Sequence, residues 1–318
     1  MPALHTTARL SGIELLARVT EVGRVGRLPS ADELDAMAQS AAAIEDCSAT
    51  ALHTHLSAAI CARHPHLALD TLRSTGLLLR VLPELDATVA FSAEAGRAHK
   101  DVWAHTKTVV WQSVPQPNVR WAALLHDIGK VPTRRFVPGG GVTFHRHAEV
   151  GEAMFRAGPA ERIAFGPAQR ERIAELIRWH LRPGQYGPQW SDSAVRRFVR
   201  EVGPALHELL NLSRADITSR RPGQRKRCLR SISDLARRIR ELQQADARAK
   251  LLPAGLGTEL MRALELEPGP QIGELRARLR QMCEAGELEP NLAPSAYVEP
   301  ARALLGITAA GRCKSRPA

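Results

Sequence analysis

Residues 119–130 read VRWAALLHDIGK, and this stretch decides the fold class. Apolar side chains dominate from Val119 to Leu125, and the run ends at a histidine followed by an aspartate. The pattern lacks the alternation of a half-buried strand, and a helix that is apolar on most sides is buried in the protein interior. The stretch therefore predicts a short buried helix over 119–128 that brings His126 and Asp127 to the core.

Helical periodicity continues on both sides of this stretch, without a convincing period-two run of β-branched residues. Ser30 and Glu33 form the sequence signature of a capping box before the first predicted helix. Three glycines at 139–141 predict a flexible loop over 133–144. The other predicted helices cover 31–46, 50–62, 66–80, 100–113, 147–157, 168–181, 192–201, 204–218, 228–250, 257–265 and 271–286. The predicted fold class is all-α.

Length and composition exclude several classes of protein. The chain has 318 residues, 44% apolar and 24% charged, which is typical of a globular protein and excludes a disordered tail. Its five cysteines stand far apart without a C-x-x-C pair, which argues against a disulfide framework and a thiolate zinc site. No apolar run is long enough to cross a membrane, and the start lacks a signal-peptide pattern, so we expect a reduced, cytoplasmic protein.

The basic charge is concentrated in one segment. The chain carries 44 lysine and arginine residues against 33 acidic ones, a net charge of +11. Residues 211–250 hold twelve basic and four acidic side chains, a balance of +8. Arg220, Arg221 and Arg225 are candidate contacts to phosphate, and a solvated helix face is the alternative. Aromatic residues make up only 4%, which argues against base stacking as the main means of binding nucleic acid.

Several histidines and two aspartates fall at helical positions that should face inward. His105 lies four residues before Val109, and Asp216 lies four residues after Leu212. An ionised carboxylate on an apolar face costs several kcal/mol unless it is paired or binds a metal. Nitrogen and oxygen ligands without a thiolate suit divalent manganese, cobalt, nickel, iron or magnesium. These residues therefore predict a site for a divalent cation.

The order of these residues resembles a family signature. His105, then the doublet His126–Asp127, then Asp216 resembles the H…HD…D pattern of the HD superfamily of metal-dependent phosphohydrolases. The string HDIGK at 126–130 is a form that this superfamily often shows. The resemblance implies that these four residues bind a divalent metal ion.

Two further elements resemble the same family. Residues 144–151 resemble its F-x-G-H-x-x-x-G element, with His147 as the histidine and Arg146 where the family has glycine. The string at 179–181 resembles the next histidine element, with His180 at its centre. Where both histidines accompany the four ligands, HD proteins can hold two ions. One ion with two hydrogen-bonding histidines is the alternative, so we expect one or two ions per chain.

The resemblance extends over residues 35–290. Segments 69–85 and 257–287 look like the surroundings of the HD domain in bacterial tRNA nucleotidyltransferases, the CCA-adding and poly(A) polymerase family. The catalytic head of that family has a Gly-rich turn followed by paired carboxylates, for which the early residues offer no match. We therefore expect the HD half without nucleotidyl transfer. The expected regions are an N-terminal helical region at 1–90, an HD metal-binding domain at 91–250, and a C-terminal helical region with a frayed basic tail at 251–318.

The resemblance implies hydrolysis of a phosphomonoester or phosphodiester in a nucleotide or an RNA end, with 2′,3′-cyclic phosphates and tRNA among the candidates. Asp127 is the candidate general base that orients or deprotonates the metal-bound water, and Lys130 is a candidate to neutralise phosphate charge. His147 and His180 would bind a second ion or protonate the leaving oxygen. Two other functions stay open: a non-catalytic RNA-binding HD module, and a helper subunit of a separate nucleotidyltransferase.

Overall fold

The computed structural model describes residues 9–94, 101–137, 141–219, 221–249 and 251–306. Within these residues the chain consists of helices and one two-stranded sheet, which confirms the predicted all-α class. The backbone divides into two compact units, Met1–Ala236 and Arg237–Ala318. The three regions expected from the sequence stay a prediction, and the predicted frayed tail lies outside the described residues.

The first unit begins with six helices. Helices α1 to α6 span Gly12–Val25, Ala31–Gln39, Ala49–Cys61, Pro65–Ser74, Leu77–Val81 and Pro83–Glu94. Helix α1 was not predicted. It begins at a capping box between Ser11 and Glu14. It buries Leu15, Leu16 and Val19 and contacts α3 and α4. The signal for this helix was present in the sequence, since Ser11 and Glu14 have the same spacing as Ser30 and Glu33.

Two predicted helices are each divided by a turn. The helix predicted over 31–46 ends at Gln39 and is followed by a 3₁₀ helix over Ala41–Asp46. The helix predicted over 66–80 is broken at Gly76, whose φ of 71° is a left-handed conformation that glycine adopts without steric cost. After this break, α5 packs against α6 and against the 3₁₀ helix.

A buried helix lies at the centre of the rest of the first unit. Helices α7 to α14 span Val102–Gln112, Pro117–Leu125, Lys130–Thr133, His147–Ala157, Pro159–Arg162, Pro167–Trp179, Asp192–Val202 and Leu206–Ala215. All residues of α8 from Val119 to Leu125 are buried, and α8 contacts α3, α7, α12 and α14. The helix ends three residues earlier than predicted, so His126 and Asp127 lie in the turn that follows it.

A β-hairpin replaces the predicted flexible loop over 133–144. Strands β1 (Arg134–Val137) and β2 (Gly141–Phe144) pair antiparallel, with Arg134 opposite Phe144. The prediction of a loop is therefore wrong for the described residues. Strands of four residues are too short for a period-two pattern to emerge from the sequence.

The long helix α15 (Pro222–Ala249) contains the boundary between the units and begins six residues before its predicted start at 228. The second unit continues with α16 to α18, which span Leu256–Leu264, Pro270–Glu284 and Val298–Leu304. Its core includes Leu260, Leu279 and Tyr297, and the Tyr297 hydroxyl donates a hydrogen bond to the carbonyl oxygen of Glu289 at 3.0 Å. Within the described part of the chain, no helix has the length and apolarity needed to cross a bilayer.

Arg120 is a buried cation in α8 that joins the ends of two neighbouring helices. Its guanidinium donates hydrogen bonds to the carbonyl oxygens of Ser113 at 3.0 Å, Val114 at 3.2 Å and Ile60 at 2.7 Å. Carbonyl groups at helix C-termini have no partner within the helix, so a buried helix end needs an external donor. Arg120 supplies that donor for α3 and for the segment after α7.

We expect Arg120→Met to lower the free energy of unfolding by about 3 kcal/mol, because the change leaves several buried carbonyl oxygens without a donor. Urea denaturation followed by circular dichroism measures the change. The exposed Arg63 is the matched control, and Arg63→Met should change the unfolding free energy by less than about 0.5 kcal/mol. Equal effects of the two substitutions would contradict the role of Arg120.

Candidate metal centre

The turn after α8 places the histidine–aspartate doublet in the interior of the first unit. The side chain of His126 is 1% exposed and that of Asp127 is 3% exposed. His105 reaches the same point from α7, and Asp216 reaches it from the C-terminal end of α14. The structure thus brings together the four residues predicted as metal ligands, which come from α7, the turn after α8 and the end of α14.

One triad of side chains consists of His105, His126 and Asp216. The Nε2 atoms of the two histidines lie 3.3 Å apart. The Oδ1 atom of Asp216 lies 3.0 Å from Nε2 of His105 and 3.5 Å from Nε2 of His126. Two unprotonated imidazole nitrogens repel each other at such a distance, so at least one of them carries a proton or binds a metal ion.

A second triad consists of Asp127, His147 and His180, whose ligand atoms all lie within 4.8 Å of one another. The Nε2 atom of His147 lies 3.5 Å from Oδ1 of Asp127, yet it is buried without a hydrogen-bond partner. A buried polar atom without a partner costs free energy. A metal ion bound by this triad would supply the missing partner.

Asp127 connects the two triads. Its Oδ2 atom lies 3.2 Å from Nε2 of His126 and 3.5 Å from Nε2 of His105, whereas its Oδ1 atom faces His147. The Nζ atom of Lys130 donates a hydrogen bond to Oδ2 at 2.6 Å. Asp127 is therefore in contact with ligands of both triads and with one cation of the protein.

Backbone carbonyl groups orient three of the four imidazoles in the same way. The Nδ1 atoms of His126, His147 and His180 lie 2.9, 2.9 and 2.6 Å from carbonyl oxygens three residues earlier. Because a carbonyl oxygen only accepts, each of these Nδ1 atoms carries a proton, and each Nε2 is turned toward the centre. Nδ1 of His105 lies 2.8 Å from the Thr218 hydroxyl. Thr218 was not predicted, since its sequence position gives no signal of this contact.

The electrostatics of the centre also fit a bound cation. Burial lowers the pKa of His180 to about 4, with the nearby His126 contributing, and burial also lowers the pKa of His147. For His126, burial would lower the pKa, but the carboxylates of Asp127 and Asp216 outweigh it and raise the pKa to about 10. His147 and His180 therefore stay neutral, whereas the two carboxylates hold a positive charge at His126, which is a proton that a bound metal ion would replace.

A close backbone contact sets the position of His147. At Gly129 an added Cβ would lie 2.1 Å from the carbonyl oxygen of His147 and 2.6 Å from the nitrogen of Gly151. Only glycine allows the turn after Asp127 to approach the start of α10 this closely. Arg146, which stands where the resembling family has glycine, takes a left-handed conformation with φ of 58°. The arginine thus adopts the backbone shape that a glycine favours.

Of the candidate phosphate contacts, Arg221 and Arg225 lie outside the two triads. Arg221 lines a cavity of about 710 Å³ that touches the two triads only at His105. One Nη atom of the exposed Arg225 lies 3.5 Å from the side-chain oxygen of Gln112. Arg220 lies outside the described residues.

A smaller cavity, which we call the α15 cavity, borders both triads. It has a volume of about 330 Å³ and is lined by His180 and Asp216 and by residues of α15 that include Arg227. The position of Arg227 could not be predicted, because the run of basic residues around it gives no indication of which side chain faces the centre.

Comparison with known proteins agrees with this geometry. The HD domain family matches residues 100–221. A CC-adding tRNA nucleotidyltransferase of Thermus thermophilus is 34% identical over 224 residues, 68% of this chain and 48% of that protein. An A-adding tRNA nucleotidyltransferase of Deinococcus radiodurans is 31% identical over 237 residues, 72% of this chain and 53% of that protein. A multifunctional CCA protein of Alkalilimnicola ehrlichii is 37% identical over 116 residues, 35% of this chain and 27% of that protein.

Residues 100–221 are an HD domain, and together with the two triads this implies binding of divalent metal. The chain is a homologue of tRNA nucleotidyltransferases over about 70% of its length, as the resemblance indicated. It spans about half the length of the Thermus and Deinococcus relatives.

We expect Gly129→Ala to displace the start of α10 and with it His147, because the new Cβ has no room. The metal content per chain, measured by inductively coupled plasma mass spectrometry, should fall by about one ion. Gly166→Ala is the matched control, since nothing lies within 4 Å of a Cβ at that position. Full metal content in the Gly129→Ala protein would show that the close contact does not position His147.

His147 and His145 provide a matched pair two residues apart. His147 is buried beside Asp127, whereas His145 is exposed. We expect His147→Ala to reduce the metal content by about one ion and His145→Ala to leave it unchanged. If both proteins keep the same number of ions, His147 is not a metal ligand.

Proposed function

We propose that this protein is a metal-dependent phosphohydrolase that acts on nucleotides or RNA ends in the cytoplasm. The observation that carries the proposal is the position of Asp127, which contacts ligands of both triads through its two carboxylate oxygens. A carboxylate between two sets of imidazoles suits a centre with two divalent ions. Such ions supply Lewis acidity toward a phosphoryl oxygen and lower the pKa of water.

The ligand chemistry favours manganese, iron, cobalt or nickel for this centre. Four imidazole nitrogens and two carboxylates supply the ligands, and no cysteine takes part in either triad. Imidazole suits these transition metals, whereas magnesium prefers a shell of oxygen atoms. We therefore propose two transition-metal ions per chain, with His105, His126 and Asp216 holding one, His147 and His180 holding the other, and Asp127 shared between them.

Asp127 serves in this proposal as a shared ligand that orients the attacking water. Burial would raise the pKa of its carboxyl group, but His126 and Lys130 outweigh burial and hold the pKa well below its usual range. A carboxylate with so low a pKa is a weak proton acceptor. Of the two roles expected from the sequence, orientation of the water is therefore favoured over its deprotonation.

In this proposal Lys130, His147 and His180 hold other groups in place and do not transfer protons. The ammonium group of Lys130 lies against Asp127 and above the Phe144 ring, so it fixes the carboxylate and balances its charge. His147 and His180 have lowered pKa values and are neutral near pH 7. A neutral imidazole whose Nδ1 proton is bound to a carbonyl group is a poor acid, which favours the role of metal ligand for both histidines.

The homology favours RNA as the source of the substrate. The relatives carry names that specify tRNA nucleotidyl transfer. An RNA 3′ end presents a phosphate as a 2′,3′-cyclic diester or as a terminal monoester, and both lie within the chemistry of such a centre. The net charge of +11 favours the approach of a polyanion such as tRNA.

A panel of cyclic nucleotides, nucleotides and phosphorylated RNA ends, each supplied with different divalent metals, tests the proposal. We expect at least one class of phosphoester to be hydrolysed, and chelation or Asp127→Asn to reduce the rate by about 100-fold or more. The helical circular dichroism signal should not change. Asp32→Asn, at an exposed position of α2, is the control and should retain full activity.

Two outcomes would overturn the proposed function. Hydrolysis that persists in the chelated protein or in Asp127→Asn would remove the centre from the reaction. A protein that contains two ions per chain but hydrolyses none of the phosphoesters would be a non-catalytic binding module.

A further inference from the structure

The α15 cavity gives access to the candidate metal centre. It is lined by Asp216 from the first triad and by His180 from the second. The side chain of Asp216 is 25% exposed, whereas those of His126 and Asp127 are almost completely buried. A substrate phosphate therefore has a route to the centre past Asp216.

The walls of the α15 cavity combine apolar surface with a cation. Leu181, Ile217 and Ile232 contribute aliphatic side chains, and Arg227 contributes a guanidinium group. Ligand cavities in proteins commonly show this composition, with apolar walls and a few polar groups that fix orientation. The matching ligand has a flat or apolar body and carries a negative charge.

The size of the α15 cavity limits the ligand to one unit of a polymer. Its volume of about 330 Å³ lies near the lower end of the range for small-molecule sites, about 300–1,000 Å³. A single nucleoside fits this volume, whereas several nucleotides do not. A sugar phosphate lacks the apolar face that the three aliphatic side chains would cover.

We propose that the α15 cavity is a nucleoside site, which binds the base and sugar of one terminal nucleotide while its phosphate lies at the two triads. The proposal rests on the proposed function and names the part of the substrate that is recognised. Arg227 binds a phosphate oxygen of that nucleotide, and the aliphatic side chains pack against the base. Successive turns of α15 contribute Arg227, Cys228, Ser231 and Ile232 to one wall of the site.

Cys228 reports on occupancy of the cavity without any measurement of activity. It is exposed and lines the cavity, whereas Cys47 and Cys61 are half-buried at other places in the first unit. In the metal-loaded protein, adenosine 2′,3′-cyclic phosphorothioate, an analogue chosen for slow hydrolysis, should slow alkylation of Cys228 by N-ethylmaleimide about tenfold at saturation. Inorganic phosphate and ribose 5-phosphate should not slow it, and the alkylation rate of Cys47 should not change in peptide mass spectra.

Arg227 and Arg230 form a matched pair of exposed cations on α15, of which only Arg227 lines the cavity. With Arg227→Ala, the analogue concentration that gives half-maximal protection of Cys228 should rise about tenfold, which corresponds to about 1.4 kcal/mol. With Arg230→Ala it should stay unchanged. For any hydrolysed nucleotide, Arg227→Ala should raise KM more than it lowers kcat.

The outcomes separate this inference from the proposed function. Hydrolysis of nucleotides without protection of Cys228 would overturn the nucleoside site and leave the phosphohydrolase in place. Equal protection by ribose 5-phosphate would also overturn it, because the apolar walls would then not select a base. Protection of Cys228 without hydrolysis of any phosphoester would support the nucleoside site and contradict the proposed function.

Discussion

Two carboxylates and four imidazoles occupy one largely buried volume of this protein, to which α7, α8, α10, α12 and α14 or the residues at their ends contribute. Asp127 and Asp216 are ionised there, while His147 and His180 stay neutral. Buried negative charge is stable only beside positive charge or bound metal. Lys130 supplies one positive charge, and the short distance between Nε2 of His105 and Nε2 of His126 requires a proton or a metal ion on at least one of these nitrogens.

The architecture holds these groups in place through main-chain contacts. Helix α8 is buried from Val119 to Leu125 and ends at the histidine–aspartate doublet, so its packing fixes the position of both residues. Arg120 ties the same helix to the ends of its neighbours. The imidazoles of His126, His147 and His180 are each oriented by a hydrogen bond to the carbonyl group three residues earlier, so the local backbone fixes the direction of each ring. A centre built in this way is preorganised for metal.

The buried helix and the four residues expected to share a cation could be predicted from the sequence, because each ligand follows or interrupts an apolar helical pattern. The hairpin β1–β2 could not, since its strands are short and lie beside a run of glycines that favours a loop. Arg227 was missed for a different reason. A run of arginines has no amphipathic pattern that would show which side of the helix faces inward. The orientation of α15 about its own axis decides which cation faces the α15 cavity, and the packing of α15 against its neighbours sets that orientation.

X-ray diffraction can show whether these six side chains hold metal, with crystals grown in the presence of Mn²⁺ and data collected on both sides of the manganese absorption edge. We expect two anomalous peaks about 3.5–4 Å apart, one in contact with His105, His126 and Asp216 and the other with Asp127, His147 and His180. If a protein saturated with Mn²⁺ shows no anomalous peak between these side chains, they do not form a metal centre.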